Sequence, residues 1–402
     1  MLLRLGSARS WTSDRLEPMK EQGLKIARRS KIAPFFAMEM LRSANQLATE
    51  GNDILHLEVG EPGFGAPAKV INVAKTALDD GSLGYTEALG TPEFRGRIAR
   101  HYETYYGVKI TPDRVVATAG ASGAFVLAFL AAFDVNDKIA VVEPGYPAYR
   151  NILTALGLQV VPLCAGPEQR FQPTIDLLRD VGPINGLIVA SPSNPTGTML
   201  SNSELETLTS WCKKNQVRLI SDEIYHGISY GHSPTTAVSF DDQGIVVNSF
   251  SKYFAMTGWR IGWMVVPPDL LPGIERLAQN LFVSPASLPQ RAALIALDCR
   301  NELDIYVHTY ARNRKFLLEH LPAAGFDKLA PADGAFYLYA DVSDLTNDSK
   351  EFCKQMLQET GVATTPGVDF DPQRGHQYLR FSFAGSEQTI IEAAERLVNW
   401  QR

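Results

Sequence analysis

Positive charge is scarce in this sequence, and so are cysteine pairs and long apolar runs. The formal net charge is −6, whereas a nucleic-acid binder needs a basic face, so no nucleic-acid partner is expected. No stretch approaches the roughly 20 uninterrupted apolar residues that span a bilayer, so no membrane partner is expected either. Cys164, Cys212, Cys299 and Cys353 are the only cysteines, and no two form a C-x-x-C pair. They read as buried thiols of a cytoplasmic protein, which excludes a disulfide frame or a zinc site, and no metal is expected. Acidic residues are missing from residues 1–13, a basic, serine-containing stretch with the composition of a short transit peptide or simply of an extended amino terminus. Internal repeats, low-complexity tracts and long linkers are also lacking.

What remains is ordinary globular composition, 45% hydrophobic and 20% charged, in a chain too long for one simple core. Short apolar runs at Val115–Thr118, Ile139–Val142, Val160–Leu163, Leu187–Ala190, Arg218–Ser221, Ile245–Asn248 and Ile261–Val266 alternate with helical patterns. Most of these runs are continuously apolar, as expected of strands covered on both faces. The order predicts an α/β fold: a three-layer α/β/α large domain around a mostly parallel seven-stranded sheet. Only about ten residues separate a strand ending near Ser249 from the one beginning at Ile261, too few for a parallel return, so the strand at Ile261–Val266 should run antiparallel.

Among the intervening helices, Ser203 and Glu206 suit a capping box for one carrying Leu205, Leu208, Trp211 and Cys212. Another is expected at Ala124–Phe133. Beyond residue 300, helical patterns at Asp304–Leu321, Lys350–Thr360 and Glu387–Trp400 accompany strand candidates at Ala335–Asp341, Val362–Thr365 and Tyr378–Phe383. With a helical Pro34–Leu47 and a strand-like Ile54–Val59, these predict a smaller α+β domain. The expected boundaries are 63–299 for the large domain, 15–62 with 300–402 for the small one, and 1–14 for an amino-terminal extension.

The chemistry centres on Ser249-Phe250-Ser251-Lys252-Tyr253-Phe254-Ala255-Met256-Thr257-Gly258-Trp259-Arg260. A lysine just past an apolar strand can be partly desolvated, which lowers its pKa and frees the amine for imine formation. Arg260, eight residues on, has a planar fork suited to phosphate. Ser191-Pro192-Ser193-Asn194-Pro195-Thr196-Gly197 follows a second strand, and Asp222-Glu223-Ile224-Tyr225 ends a third. Thr118-Ala119-Gly120-Ala121-Ser122-Gly123 joins a strand to a helix, where small residues and free N–H groups favour an anion. Each motif alone has a plainer reading, as a turn or a polar strand end. In order, they all fall at the carboxyl ends of strands, where open α/β sheets bind ligands.

Together these motifs resemble the class I aminotransferases of the fold-type I pyridoxal phosphate superfamily, over about Ile32 to the carboxyl end. The resemblance implies that Lys252 holds pyridoxal 5'-phosphate as an imine and that Asp222 protonates the ring nitrogen. It implies that Asn194 and Tyr225 share the phenolic oxygen, that Tyr146 stacks on the ring, and that Ala121, Ser122, Ser249 and Arg260 cup the phosphate. Tyr85 matches a tyrosine that reaches the phosphate of the other subunit in a homodimer. Arg380, in Tyr378-Leu379-Arg380-Phe381-Ser382-Phe383, matches the arginine that grips the substrate carboxylate, and alternation sets it opposite Leu379, Phe381 and Phe383. Gly60 matches the backbone of the substrate loop.

The implied activity is transfer of an amino group from an L-amino acid to a 2-oxo acid, with glutamate and 2-oxoglutarate expected in one half-reaction. Animal-type aspartate aminotransferases use a second arginine from the neighbouring subunit. No arginine here is assigned to that position, so aspartate is not implied. Phe36, Phe64 and Phe282 are candidates for the side-chain pocket. A C–S lyase uses the same scaffold and is one alternative. A non-catalytic cofactor-binding regulator is another, although such regulators add a DNA-binding domain and no basic helix-turn-helix segment is present here.

Overall fold

The computed structural model describes residues 24–81 and 83–401. The expectations for residues 1–14, and for the start of the small domain at 15, lie outside or partly outside these residues. The strands are β1 (Leu55–His56), β2 (Val115–Thr118), β3 (Lys138–Glu143), β4 (Gln159–Cys164), β5 (Gly186–Ala190), β6 (Arg218–Asp222) and β7 (Ile245–Ser249). They continue as β8 (Gly262–Val265), β9 (Lys328–Leu329), β10 (Tyr337–Asp341), β11 (Val362–Ala363), β12 (Thr365–Pro366) and β13 (Tyr378–Ser382). The α-helices are α1 (Phe36–Thr49), α2 (Ala68–Asp79), α3 (Pro92–Tyr106), α4 (Gly120–Ala132), α5 (Ala148–Leu156) and α6 (Ile175–Asp180). After them come α7 (Asn202–Lys214), α8 (Leu271–Leu281), α9 (Ser287–Ala296), α10 (Arg300–His320), α11 (Ser349–Thr360) and α12 (Glu387–Val398).

Seven strands form one sheet in the order β2-β8-β7-β6-β5-β3-β4. Its pairs are parallel except for β8, which runs antiparallel to both β2 and β7, as the short connection requires. Alternate residues supply two apolar layers. Val115, Ala117, Leu187, Val189 and Leu219 pack on one side with α3, α7 and α9, while Val116, Ile188 and Ile220 pack on the other with α4, α5 and α8. The continuous apolar runs are thus explained by burial on both faces.

Beyond this sheet, β12-β13-β10-β9 form an antiparallel sheet, and β1 pairs in parallel with β11 (Leu55↔Val362). The expected strand Val362–Thr365 splits into β11 and β12 because its two halves serve different partners.

Three local expectations are corrected. The capping box of α7 is Ser201 with Glu204, not Ser203 with Glu206. The Glu204 N–H donates to Ser201 Oγ at 3.3 Å, and Ser201 N–H to Glu204 Oε2 at 2.7 Å. The S-x-x-E spacing occurs twice, and the earlier copy places Leu205 within the helix. Helix α4 begins at Gly120, four residues before the expected Ala124, so the small-residue turn is itself the first helical turn. Cys164 is exposed at the end of edge strand β4, whereas Cys212, Cys299 and Cys353 are buried. Among the described residues no helix is long and apolar enough to cross a membrane.

Candidate active site

The parallel strands end, and the reversed β8 begins, at one rim of the sheet, so every chemical motif falls there. Asn194 follows β5, Asp222 ends β6, Lys252 follows β7 and Tyr146 follows β3. The turn into α4 follows β2, and Arg260 stands just before β8 starts. They converge on a cavity of about 330 Å³ lined by Gly60, Ala121, Ser122, Tyr146, Asn194, Asp222, Tyr225, Lys252, Arg260 and Arg380.

Lys252 Nζ donates to the Gly60 carbonyl and lies 5.8 Å from the Tyr225 ring centroid. Burial pushes its pKa down to about 8, helped by Arg380 and Arg260, with Glu61 and Asp222 opposing. Gly60 is a tight fit, since a Cβ there would meet the Tyr337 hydroxyl at 2.0 Å.

Asp222 is buried. Its Oδ2 accepts the Tyr149 hydroxyl, and its Oδ1 accepts the Ile224 N–H at 3.1 Å. Burial raises its pKa to about 6, while the Tyr149 and Ile224 hydrogen bonds and the Lys252 charge hold it down. Tyr225 and Tyr337 share a hydrogen bond of 2.7 Å between hydroxyls.

Arg380 is also buried, on the face of β13 away from Leu379 and Phe381, as alternation predicts. It donates to Asn194 Oδ1 at 2.9 Å, to Thr365 Oγ1 at 3.2 Å and to the Glu58 carbonyl. Its guanidinium lies 4.4 Å from the Tyr337 ring centroid and 4.8 Å from that of Phe370. Its Nε is buried without a hydrogen-bond partner. A buried cation with an unused donor is suited to a carboxylate.

At the other end, Arg260 sits against the first turn of α4. Gly120 has φ +66°, and a Cβ there would lie 2.6 Å from Arg260 Nη2. A guanidinium facing a helix N-terminus sets positive potential against positive potential, an arrangement that an anion relieves. With the hydroxyls of Ser122 and Ser251, this donor set fits a phosphate. Ser249 lies behind this wall, its hydroxyl bonded to Ser251 Oγ at 2.9 Å and to the Ile261 carbonyl at 3.1 Å, and Ser251 is the serine at the cavity.

Some expected residues stand elsewhere. Tyr85 is 88% exposed, away from this cavity and beside Ser284 and Pro285. None of Phe36, Phe64 and Phe282 is in the cavity wall. Phe36 lies under the Lys350 ammonium at 3.5 Å, Phe64 stacks on Tyr306 at 4.3 Å, and Phe282 is surface-exposed after α8. Phe35 and Phe370 line the cavity instead. Sequence reasoning also missed Tyr149, Tyr337 and Asp369. Tyr149 lies in the first turn of α5, but its partner Asp222 is 73 residues away and spacing carries no signal of it.

The family model of aminotransferase class I and II matches residues 52–397. A valine–pyruvate aminotransferase of Mycobacterium tuberculosis is 47% identical over 94% of this chain and 98% of its own length. An aspartate aminotransferase of Thermotoga maritima is 32% identical over 92% of this chain and 98% of its own. A crystal structure of an aminotransferase from Mycobacterium tuberculosis superimposes with a TM-score of 0.92 at 47% identity, covering 94% of this chain and 98% of that one. These relatives favour amino-group transfer over the C–S lyase and the regulator. The chain therefore belongs to the class I and II aminotransferases and is a transaminase.

Proposed function

We propose that this transaminase works with pyridoxal 5'-phosphate, anchored covalently at Lys252. The observation that carries the reading is the meeting of Lys252, Asp222 and Arg380 in one cavity, with the lysine pKa drawn down to about 8. When bound, the cofactor supplies an electron sink for the charge left on the substrate α-carbon.

The protein's own groups do the rest. Arg380 orients the amino acid by its carboxylate, with the Gly60 backbone alongside. Lys252 Nζ, its pKa lowered to about 8 so that a fraction of the amine is free near neutral pH, would take the α-proton and return it as a single general base. The Asp222 carboxylate keeps the ring nitrogen protonated. Asn194, whose amide oxygen is occupied by Arg380, would have its NH2 free for the phenolic oxygen, which Tyr225 would share. Tyr146 fixes the ring plane. Ala121, Ser122 and Arg260 take the phosphate, with Ser249 acting through Ser251.

The reading includes a homodimer in which exposed Tyr85 serves the other subunit's phosphate, a large domain at 63–299, and a small one at 15–62 with 300–402. It includes a cytoplasmic location, supported by four free cysteines. An apolar L-amino acid as donor is supported by the valine–pyruvate relative and by Phe35, Met38 and Phe370 in the cavity wall.

The test is Lys252→Ala. Turnover should be abolished while the cofactor still binds noncovalently, as followed by visible absorbance and by release of 2-oxo acid. Normal turnover in that variant would overturn the assignment.

A further inference from the structure

Helix α1 begins without a cap of its own. Phe35, at its N-cap, has no polar side chain, so the first N–H groups need acceptors from elsewhere. Asp369, more than 330 residues further along the chain, supplies them. Its Oδ1 accepts the Phe36 N–H at 3.2 Å and its Oδ2 the Ala37 N–H at 3.1 Å. The carboxylate also opposes the positive end of the helix. Asp369 is in turn held from the large sheet. Arg150, on α5, donates to the carbonyls of both Asp369 and Phe370, the latter at 3.3 Å. The Gly145 N–H reaches the same Phe370 carbonyl at 3.0 Å.

The residues fixed by this chain of contacts share one wall of the cavity, namely Phe35, Ala37, Met38 and Phe370. The Phe35 ring lies 5.9 Å from that of Tyr146, and Phe370 lies 4.8 Å from the Arg380 guanidinium. The wall therefore spans the space between the ring-stacking tyrosine and the carboxylate-binding arginine, where a donor's side chain must go. Arg380 and Lys252 have anchors of their own in Asn194, Thr365 and Gly60.

We propose that Asp369 and Arg150 are positioning residues that set donor selectivity by side-chain size: Asp369 fixes α1, and Arg150 fixes the Asp369–Phe370 backbone. The inference rests on the transaminase reading of this cavity. Loosening the wall removes contacts from a donor long enough to reach it and leaves the carboxylate and amine contacts in place.

The experiment compares the cofactor-loaded wild type with Asp369→Ala, Asp369→Asn and Arg150→Lys. The measured quantities are kcat and KM for alanine, 2-aminobutyrate, valine and leucine, with 2-oxoglutarate as acceptor. In Asp369→Ala the valine-to-alanine ratio of kcat/KM should fall by about tenfold, the scale at which pockets discriminate a methylene or two. The fall should be carried by KM. Asp369→Asn, which keeps an acceptor oxygen, should lie between that variant and the wild type. An equal loss for all four donors, or an unchanged ratio, overturns the proposal. If Asp369→Ala does not fold, Arg150→Lys decides, since it should shift the same ratio and an unshifted ratio is equally fatal. A wild type that transaminates none of the donors, with pyruvate as acceptor as well as 2-oxoglutarate, would instead overturn the apolar-donor reading itself.

Discussion

Asp222 is poised between opposing influences at the level of a single side chain. Burial pushes its carboxyl up to about 6, and the Tyr149 hydroxyl, the Ile224 N–H and the Lys252 charge pull it back. Tyr146 and Tyr225, which also face it, have pKa values raised by burial and stay neutral. Tyr149→Phe removes one donor to a charged group, typically about 1.5–3 kcal/mol, or one to two pKa units. Asp222 would then ionise only at higher pH, so the acid limb of the kcat/KM profile should move upward by about one unit. A limb that stays in place would mean that Tyr149 does not tune Asp222. The sequence pointed to Asp222, Asn194, Lys252 and Arg380 because each follows or sits within an apolar strand that could be located. It did not point to Tyr149, Tyr337 or Asp369, because their partners are distant in sequence and spacing alone says nothing of contacts across 70 residues or more. Ser249 ends β7 and Ser251 lies two residues past it, and spacing does not say which of them reaches the cavity.

The last residue of strand β6 and the one after it are both carboxyls, and they meet different surroundings. Asp222 faces the cavity. Glu223 turns away, and its Oε1 accepts Ala237 N–H at 2.8 Å and the hydroxyls of Ser221 and Thr236 at 3.1 Å each. Burial raises its pKa from 4.5 to about 8. Its protonated form is therefore favoured in the fold, and the wild type forfeits stability as pH rises from 4.5 towards 8. Glu223→Gln keeps the acceptor oxygen and cannot ionise. Its advantage in Tm should be near nil at pH 4.5 and grow to on the order of a few degrees at pH 8. A difference that does not change with pH would show that Glu223 is not the titrating group. The strands of the large sheet were legible to within about a residue because continuous apolar runs leave few alternatives, whereas the expected Ile54–Val59 shrinks to β1 and β9 was not expected. Helix starts were less so. The doubled S-x-x-E pattern near Ser201 offers two caps, and only the position of the buried Leu205, Leu208 and Cys212 stripe chooses between them.

Across the whole molecule, one apolar surface stands out. Leu281, Phe282 and Val283 are 49%, 41% and 54% exposed, and they lead into the Ser284–Pro285 segment beside Tyr85. A second copy of the chain on this surface would cover these side chains and bring Tyr85 to its partner's phosphate. Phe282→Asp should therefore yield monomers by sedimentation velocity and weaken cofactor retention at the same time, as followed by absorbance. Monomers that hold the cofactor as tightly as the wild type would separate the two effects and refute the shared site. From sequence Phe282 was a candidate for the pocket wall, because an exposed aromatic has the same letter as a buried one.

The reversed strand β8 has a last consequence for the site as an assembly. Because it returns along β7 without crossing the sheet, the chain from Lys252 to Arg260 never leaves the functional rim. In the proposed reading, the anchor amine and the phosphate clamp would thus be the two jaws of one caliper, whose opening is set by the length of the loop between them. Turns on the far rim, such as that between α4 and β3, have no jaws to hold apart, so a change in their length would leave the opening of the caliper as it is.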